Sequence, residues 1–325
     1  MLKRSPLAVV LLTGSLALAG CGSSSDSSSS GSSSSDQGAR LSVVASFYPL
    51  QYVTQRLLGD KGTVTNLTPP GAEPHDLELS PKDVATLSDA SLVIYLAGFQ
   101  PAVDDAAKSQ AGAKAFDVTA AARLDLAGHE EHEAEGQGAS PGASPEAEHD
   151  HGAVDPHFWL DPTRLADVAD AVAGRLATAA PALAETVRAN ATTLRTDLEK
   201  LDGELRAGLA SCSDKNLVTS HEAFGYLAQR YGLTQLGIAG LSPEAEPDAG
   251  TLAKVTDFVK ANRVATIYYE TLVSPDVART VARSTGAQTA VLDPIEGLAD
   301  SSAGSDYLGV MRANLATLRT GQRCS

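Results

Sequence analysis

The stretch Pro181–Ser211, PALAETVRANATTLRTDLEKLDGELRAGLAS, decides the fold. Within it Leu183, Val187, Leu194, Leu198, Leu201, Leu205 and Leu209 recur every three, four or seven residues, which lines one face of a helix with aliphatic side chains. A helix of this length is unusual in a globular domain, where the mean is about three turns. Pro181 either starts it or kinks the chain into it. On the amino-terminal side, Leu41–Phe47, Thr63–Leu67, Ser91–Leu96 and Lys114–Val118 read as short strands separated by helical patterns. On the carboxyl-terminal side Asn216–Thr219, Leu233–Ala239, Val264–Tyr269 and Gln288–Leu292 read the same way, with helices expected at Glu222–Tyr231, Asp248–Ala261 and Pro275–Thr285. Alternation on this scale implies an α/β fold with two lobes, each a mostly parallel sheet flanked by helices, joined by one long rigid helix. A ligand belongs in the cleft between them, near loops at the carboxyl ends of strands.

The expected organisation is a signal peptide over residues 1–20, a Ser/Gly-rich tether over 21–40, an amino-terminal lobe over 41–180, the linking helix over 181–211 and a carboxyl-terminal lobe over 212–325. Met1-Leu2-Lys3-Arg4 is a basic start, and the apolar run Leu7–Ala19 is too short to span a bilayer as a mature helix. It ends in Leu18-Ala19-Gly20-Cys21, which resembles the bacterial lipobox, so Cys21 is the expected lipidation site and the protein is expected to be lipid-anchored to the outer face of the cell membrane. The segment from Gly22 to Ala39 is almost only Ser, Gly and Asp and has no means of burying apolar surface. With Cys21 set aside, Cys212 and Cys324 remain, an even pair in an oxidising compartment. A disulfide is the simplest reading; two buried free thiols are the alternative.

Charge narrows the ligand. The chain carries 25 Lys plus Arg against 40 Asp plus Glu, a formal charge of −15, and removing residues 1–20 takes away Lys3 and Arg4 to leave −17. Such a surface repels polyphosphate, which excludes nucleic acid and points to a neutral or cationic partner. The excess is uneven. Glu130, Glu131, Glu133, Glu135, Glu146, Glu148 and Asp150 fall among His129, His132, His149 and His151 with no Lys or Arg between them. This stretch, 129–151, has no apolar anchor and is expected to be a mobile loop that gathers divalent cations weakly, or else a solvated acidic loop with incidental histidines.

Outside that loop only three histidines remain, and each sits at the start of a helical pattern. His75 lies in Pro69-Pro-Gly-Ala-Glu-Pro-His75-Asp-Leu-Glu, ahead of Ser80-Pro81, an N-cap followed by Pro at the first helical position. His157 lies in Asp155-Pro-His157-Phe-Trp-Leu-Asp-Pro162, and His221 in Val218-Thr-Ser-His221-Glu-Ala-Phe-Gly-Tyr.

These three segments, in order and at this spacing, resemble the zinc and manganese substrate-binding lipoproteins of bacterial ABC transporters, solute-binding protein family 9, and more closely the zinc type. The resemblance covers Leu41 to Cys324, and the Asp-Pro-His-x-Trp-Leu-Asp-Pro segment is its most specific part. It implies the helical-backbone metal-binding-protein fold, a monomer rather than an enzyme, and delivery of Zn²⁺ to the permease of an ABC importer. It also implies that His75, His157 and His221 bind the metal, with a late carboxylate as the fourth ligand. The match for that carboxylate is Asp293, in Ala290-Val-Leu-Asp293-Pro-Ile-Glu-Gly-Leu. The alternative for Asp293 is a helix N-cap or a turn residue before Pro294, with water or Glu270 in its place on the metal. Glu270, at the end of the Tyr268-Tyr269 strand, is expected to hold a ligand histidine by its other ring nitrogen. Three imidazoles and one carboxylate suit Zn²⁺ better than Mn²⁺, which favours more oxygen. A manganese-binding homologue is the nearer alternative. A zinc hydrolase with Glu222 as general base is the remote one, since no H-E-x-x-H spacing occurs.

Overall fold

In the computed structural model of the chain, residues 40–128 and 154–325 are described. The signal peptide, Cys21 and the tether up to Ala39 lie outside the described residues, as do His129, His132, His149 and His151.

Among the described residues, eight short strands form two separate sheets of four. The first contains β1 (Leu41–Ala45), β2 (Gly62–Asn66), β3 (Leu92–Tyr95) and β4 (Ala115–Asp117) in the order β2-β1-β3-β4. The second contains β5 (Asn216–Thr219), β6 (Thr234–Gly237), β7 (Thr266–Tyr269) and β8 (Gln288–Val291) in the order β6-β5-β7-β8. Every pairing is parallel. Parallel strands need crossovers, and the sequence supplies them as helices that cover both faces, so central β1 and β3 are almost wholly buried. In each sheet the chain steps first to one side of the opening strand and then to the other. This places a topological switch point between β1 and β3 and another between β5 and β7, where α/β sheets bind ligands.

The helices, in chain order, are α1 (Tyr48–Leu58), α2 (Pro81–Asp89), α3 (Pro101–Ala106), α4 (Thr119–Ala122), α5 (Pro162–Ala179), α6 (Ala184–Leu209), α7 (Gly225–Tyr231), α8 (Ala249–Asn262), α9 (Asp276–Thr285) and α10 (Tyr307–Gly321). Their starts follow the capping residues. Ser80 and Asp83 exchange side-chain-to-backbone bonds in a capping box at α2, and Asp161 accepts from the Thr163 N–H at α5. The long helix is shorter than the leucine pattern suggests. Pro181–Leu183 form a 3₁₀ turn, and α6 begins only at Ala184 because Pro181 has no N–H with which to continue α5.

At 26 residues α6 spans about 39 Å. Its buried face, Val187, Ala191, Leu194, Leu198, Leu201, Leu205 and Leu209, packs against α1, α5 and α10. These leucines share one continuous core with Val43 of the first sheet and Tyr268 of the second. A second cluster around Ile267 and Val259 and a third around Val44 and Val93 fill the outer faces of the sheets. Cys212 and Cys324 are disulfide-bonded, which pins the carboxyl terminus at the entry to β5.

The expected helix at Glu222 begins instead at Gly225. Thr219 Oγ1 and Gln235 Nε2 donate to the His221 carbonyl at 2.6 and 3.1 Å, and the Glu222 N–H donates to the Gly240 carbonyl at 2.9 Å. Those bonds hold residues 220–224 as a loop and remove the carbonyl a first helical turn would use. The loop can lie this close to β6 because Gly237 has no Cβ, which would otherwise collide with the Glu222 side chain.

Candidate metal centre

Three loops and one turn converge where the two sheets present their carboxyl ends. His75 follows β2, His157 follows β4 and α4, His221 follows β5, and Glu296 follows β8. His157, His221 and Glu296 are at most 1% exposed, while the His75 side chain retains 11%.

His157 Nε2 lies 3.3 Å from His75 Nε2, 3.4 Å from His221 Nε2 and 3.1 Å from Glu296 Oε1. Glu296 Oε1 lies 3.3 Å from His221 Nε2 and 3.6 Å from His75 Nε2. Four donors arranged tetrahedrally about Zn²⁺ at about 2.0–2.1 Å would be separated by about 3.3–3.4 Å. The observed spacings bracket that value. Among the described residues this is the one group of His, Cys, Asp or Glu side chains that could share a metal ion.

The other ring nitrogens of two of the histidines are engaged. His157 Nδ1 is 2.8 Å from Asp155 Oδ1, which also accepts the His157 backbone N–H at 2.9 Å. His221 Nδ1 is 2.7 Å from Glu270 Oε1, which also accepts from the Ser220 hydroxyl. The second pair follows from sheet order: β5 and β7 are neighbours, so the residues just past their ends meet. With Nδ1 carrying the proton in the neutral rings, each Nε2 directs a lone pair at the others and at Glu296. Acceptors meeting without a donor in a dry pocket call for a cation. A divalent ion there would bring two positive charges against the carboxylates of Glu296, Asp155 and Glu270.

Without an ion, protons fill the role. Burial alone would depress the His221 imidazole, but the Glu270 and Glu296 carboxylates push it up to about 10. The same contest raises His157, through Asp155 and Glu296, whereas burial prevails at His75 and lowers it. Glu296 is buried, which would raise it, yet its three imidazole partners hold it well below the usual carboxylate range. Burial, with the Glu296 charge nearby, pushes Glu73 up to about 8, and its Oε2 accepts the His75 backbone N–H at 2.9 Å.

Phe99 packs edge-on against the His75 ring at 4.7 Å between centroids, and Trp159 packs against His157 at 5.2 Å. These rings exclude water from the inner side of the cluster. On the outer side a cleft of about 1090 Å³ reaches His75 between Phe99 and Pro156 of one lobe and Glu222, Gly240 and Phe258 of the other. Gly128 and Val154 line the same cleft, and an antiparallel bridge joins Ala127 to Val154.

Of the residues expected on the metal, His75, His157 and His221 come together, whereas Asp293 does not join them. Its Oδ1 accepts the Ile295 N–H at 2.8 Å and its Oδ2 the Ser302 hydroxyl at 2.7 Å, as a turn aspartate would. The carboxylate among the imidazoles is Glu296, three residues on. Glu270 lies against His221 Nδ1, not among the four converging atoms. Asp155 is not among the residues expected at the site from sequence. Its position two residues before His157, in a segment that also contains Pro156, was the available signal.

Residues 43–321 match the family described as zinc-uptake complex component A, periplasmic. The "Zinc-binding protein AdcA" of Streptococcus pyogenes serotype M3 is 38% identical over 286 residues, which are 86% of this chain and 56% of that protein. This chain thus spans little more than half the length of such streptococcal relatives. The "High-affinity zinc uptake system protein ZnuA" of Bacillus subtilis is 37% identical over 324 residues, 98% of each chain. The Zn(II)-bound ZnuA-like domain of Streptococcus pneumoniae AdcA superposes with a TM-score of 0.70 at 33% identity, covering 87% of this chain and 99% of that one. A family match over residues 43–321, together with this fold and this convergence of three histidines, establishes that the chain belongs to the zinc-uptake complex component A family.

Proposed function

We propose that this protein captures Zn²⁺ outside the cytoplasm and delivers it to the permease of an ABC importer, with His75, His157, His221 and Glu296 as the ligands. One observation carries the reading: four donor atoms, three imidazole nitrogens and one carboxylate oxygen, from three buried residues and the partly exposed His75, stand 3.1 to 3.6 Å apart in the pairs measured above. Three nitrogen donors favour Zn²⁺ over Mn²⁺, whose sites are richer in oxygen. The names of the streptococcal and Bacillus relatives, a zinc-binding protein and a zinc uptake protein, support the same cargo. Within this reading Cys21 is the lipid anchor, the protein acts as a monomer, and the acidic histidine segment 129–151 gathers ions beside the cleft.

Metal-stripped protein titrated with Zn²⁺ should bind one tight equivalent. Alanine at His75, His157 or His221 should weaken it severely, because each removes one of four bonds and opens the dry pocket to water. Retention of that equivalent by the triple variant would overturn the site. Competition between Zn²⁺ and Mn²⁺ for the stripped protein should leave zinc bound.

A further inference from the structure

Ile295, immediately before Glu296, is fully buried and has a φ of 57°. A β-branched residue is strongly disfavoured in this left-handed region, because its Cβ substituents crowd the backbone. Arg123, Arg263 and Arg323 also have positive φ, but none is β-branched, and Arg123 and Arg263 close helices, where this conformation is common. Ile295 follows a strand and ends no helix.

Its surroundings over-determine the conformation. Asp293 Oδ1 accepts the Ile295 N–H at 2.8 Å, and Ser302 Oγ donates to Asp293 Oδ2 at 2.7 Å. Asn314, on α10 and 3% exposed, grips the Asp293 backbone from both sides: Nδ2 donates to its carbonyl at 2.7 Å and Oδ1 accepts its N–H at 3.0 Å. Trp159 Nε1 donates to the Pro294 carbonyl at 2.8 Å, which ties this turn to the one that carries His157. Pro294 restricts its own φ and narrows the choices of Asp293. Strain of this kind persists only where the surrounding structure enforces it, and it concentrates at ligand clamps.

We infer that Asp293, Ser302 and Asn314 are positioning residues that hold Ile295 left-handed so that the Glu296 carboxylate faces the three histidines. Relaxation of Ile295 to negative φ would redirect the following residue and withdraw Glu296 from the cluster. Of the four ligands only Glu296 lies on the segment that Asp293, Ser302 and Asn314 hold, so these three residues act on the metal through Glu296. This inference rests on the proposed ligand set, and its distinguishing prediction is non-additivity with Glu296.

The test is a double-mutant cycle on zinc dissociation from the full chain, read by transfer to a chromogenic chelator, with Asn314→Ala and the milder Ser302→Ala each made alone and with Glu296→Gln. Asn314→Ala should speed dissociation about 10- to 100-fold in the native background, the range for partners that orient metal ligands, and Ser302→Ala by less. Neither should change it more than about twofold once Glu296 is Gln. Co²⁺ absorption of Asn314→Ala should shift toward that of Glu296→Gln. Equal acceleration in both backgrounds, or none in the native one, would overturn the positioning role while leaving zinc binding intact. Unchanged dissociation in Glu296→Gln would overturn the carboxylate's ligation and the clamp with it. If Asn314→Ala fails to fold, the Ser302→Ala arm decides the same question.

Discussion

Glu270 Oε1 stands 2.7 Å from His221 Nδ1, and both residues are buried at the ends of adjacent parallel strands. The carboxylate fixes which ring nitrogen keeps its proton and therefore which one faces the cluster. Glu270→Gln preserves an acceptor for that N–H but removes the charge. Zinc affinity should fall about 10- to 100-fold without loss of the single equivalent, as calorimetry with a competing chelator would register. An unaltered affinity would mean that Glu270 orients nothing.

The pH dependence has a definite sign. In the metal-free protein the His221 imidazole is raised from 6.5 to about 10, and the metal must expel its proton. Apparent zinc affinity should therefore climb by about tenfold per pH unit between pH 7 and 9, well above the range in which an unperturbed imidazole near 6.5 would lose its proton. Stability of the metal-free form runs the other way. A raised folded-state value contributes fully below 6.5 and is lost as pH rises toward 10, so its melting temperature should decline over the interval in which affinity grows. A flat zinc titration from pH 7 to 9 would contradict the protonated cluster.

Cys212 precedes β5 and His221 follows it, so disulfide and metal site sit at opposite ends of one strand. Replacing Cys212 and Cys324 by Ser should cost about 5 kcal/mol by the chain-entropy relation for a sequence separation of 112 residues. The zinc equivalent should survive in whatever fraction stays folded. Denaturant melts with and without Zn²⁺ would separate the two effects, since bound ion stabilises only the native form.

Gly128 and Val154 line the cleft, and an antiparallel bridge joins Ala127 to Val154, the described residues on either side of the acidic segment. Joining Gly128 to Val154 through a short Gly linker should leave the tight equivalent in place and abolish weaker, superstoichiometric zinc binding. Loss of the tight equivalent would show that the segment contributes a ligand.

Much of the architecture was legible because parallel strands and their crossover helices leave local marks. Buried β-branched runs, Ser80-Pro81 as a helix start, and leucines repeating along α6 each report on neighbours a few residues away. The three histidines stood out by elimination, since the other four lie in one acidic stretch. Where α7 begins was not legible, because Gln235 and Gly240 from another part of the lobe compete for the backbone around His221.

The choice between two carboxylates marks the boundary most sharply. Residues 293–296 read Asp-Pro-Ile-Glu, and either acid could face a metal from a strand end. Through the family resemblance the sequence pointed to a carboxylate here, with water or Glu270 as alternatives; only the tertiary structure shows that the carboxylate facing the three histidines is that of Glu296. Asn314, 21 residues on, and Ser302 hold Asp293 as a turn residue and keep Ile295 in a backbone conformation its own side chain disfavours. A local pattern encodes local preference, and here packing overrides it.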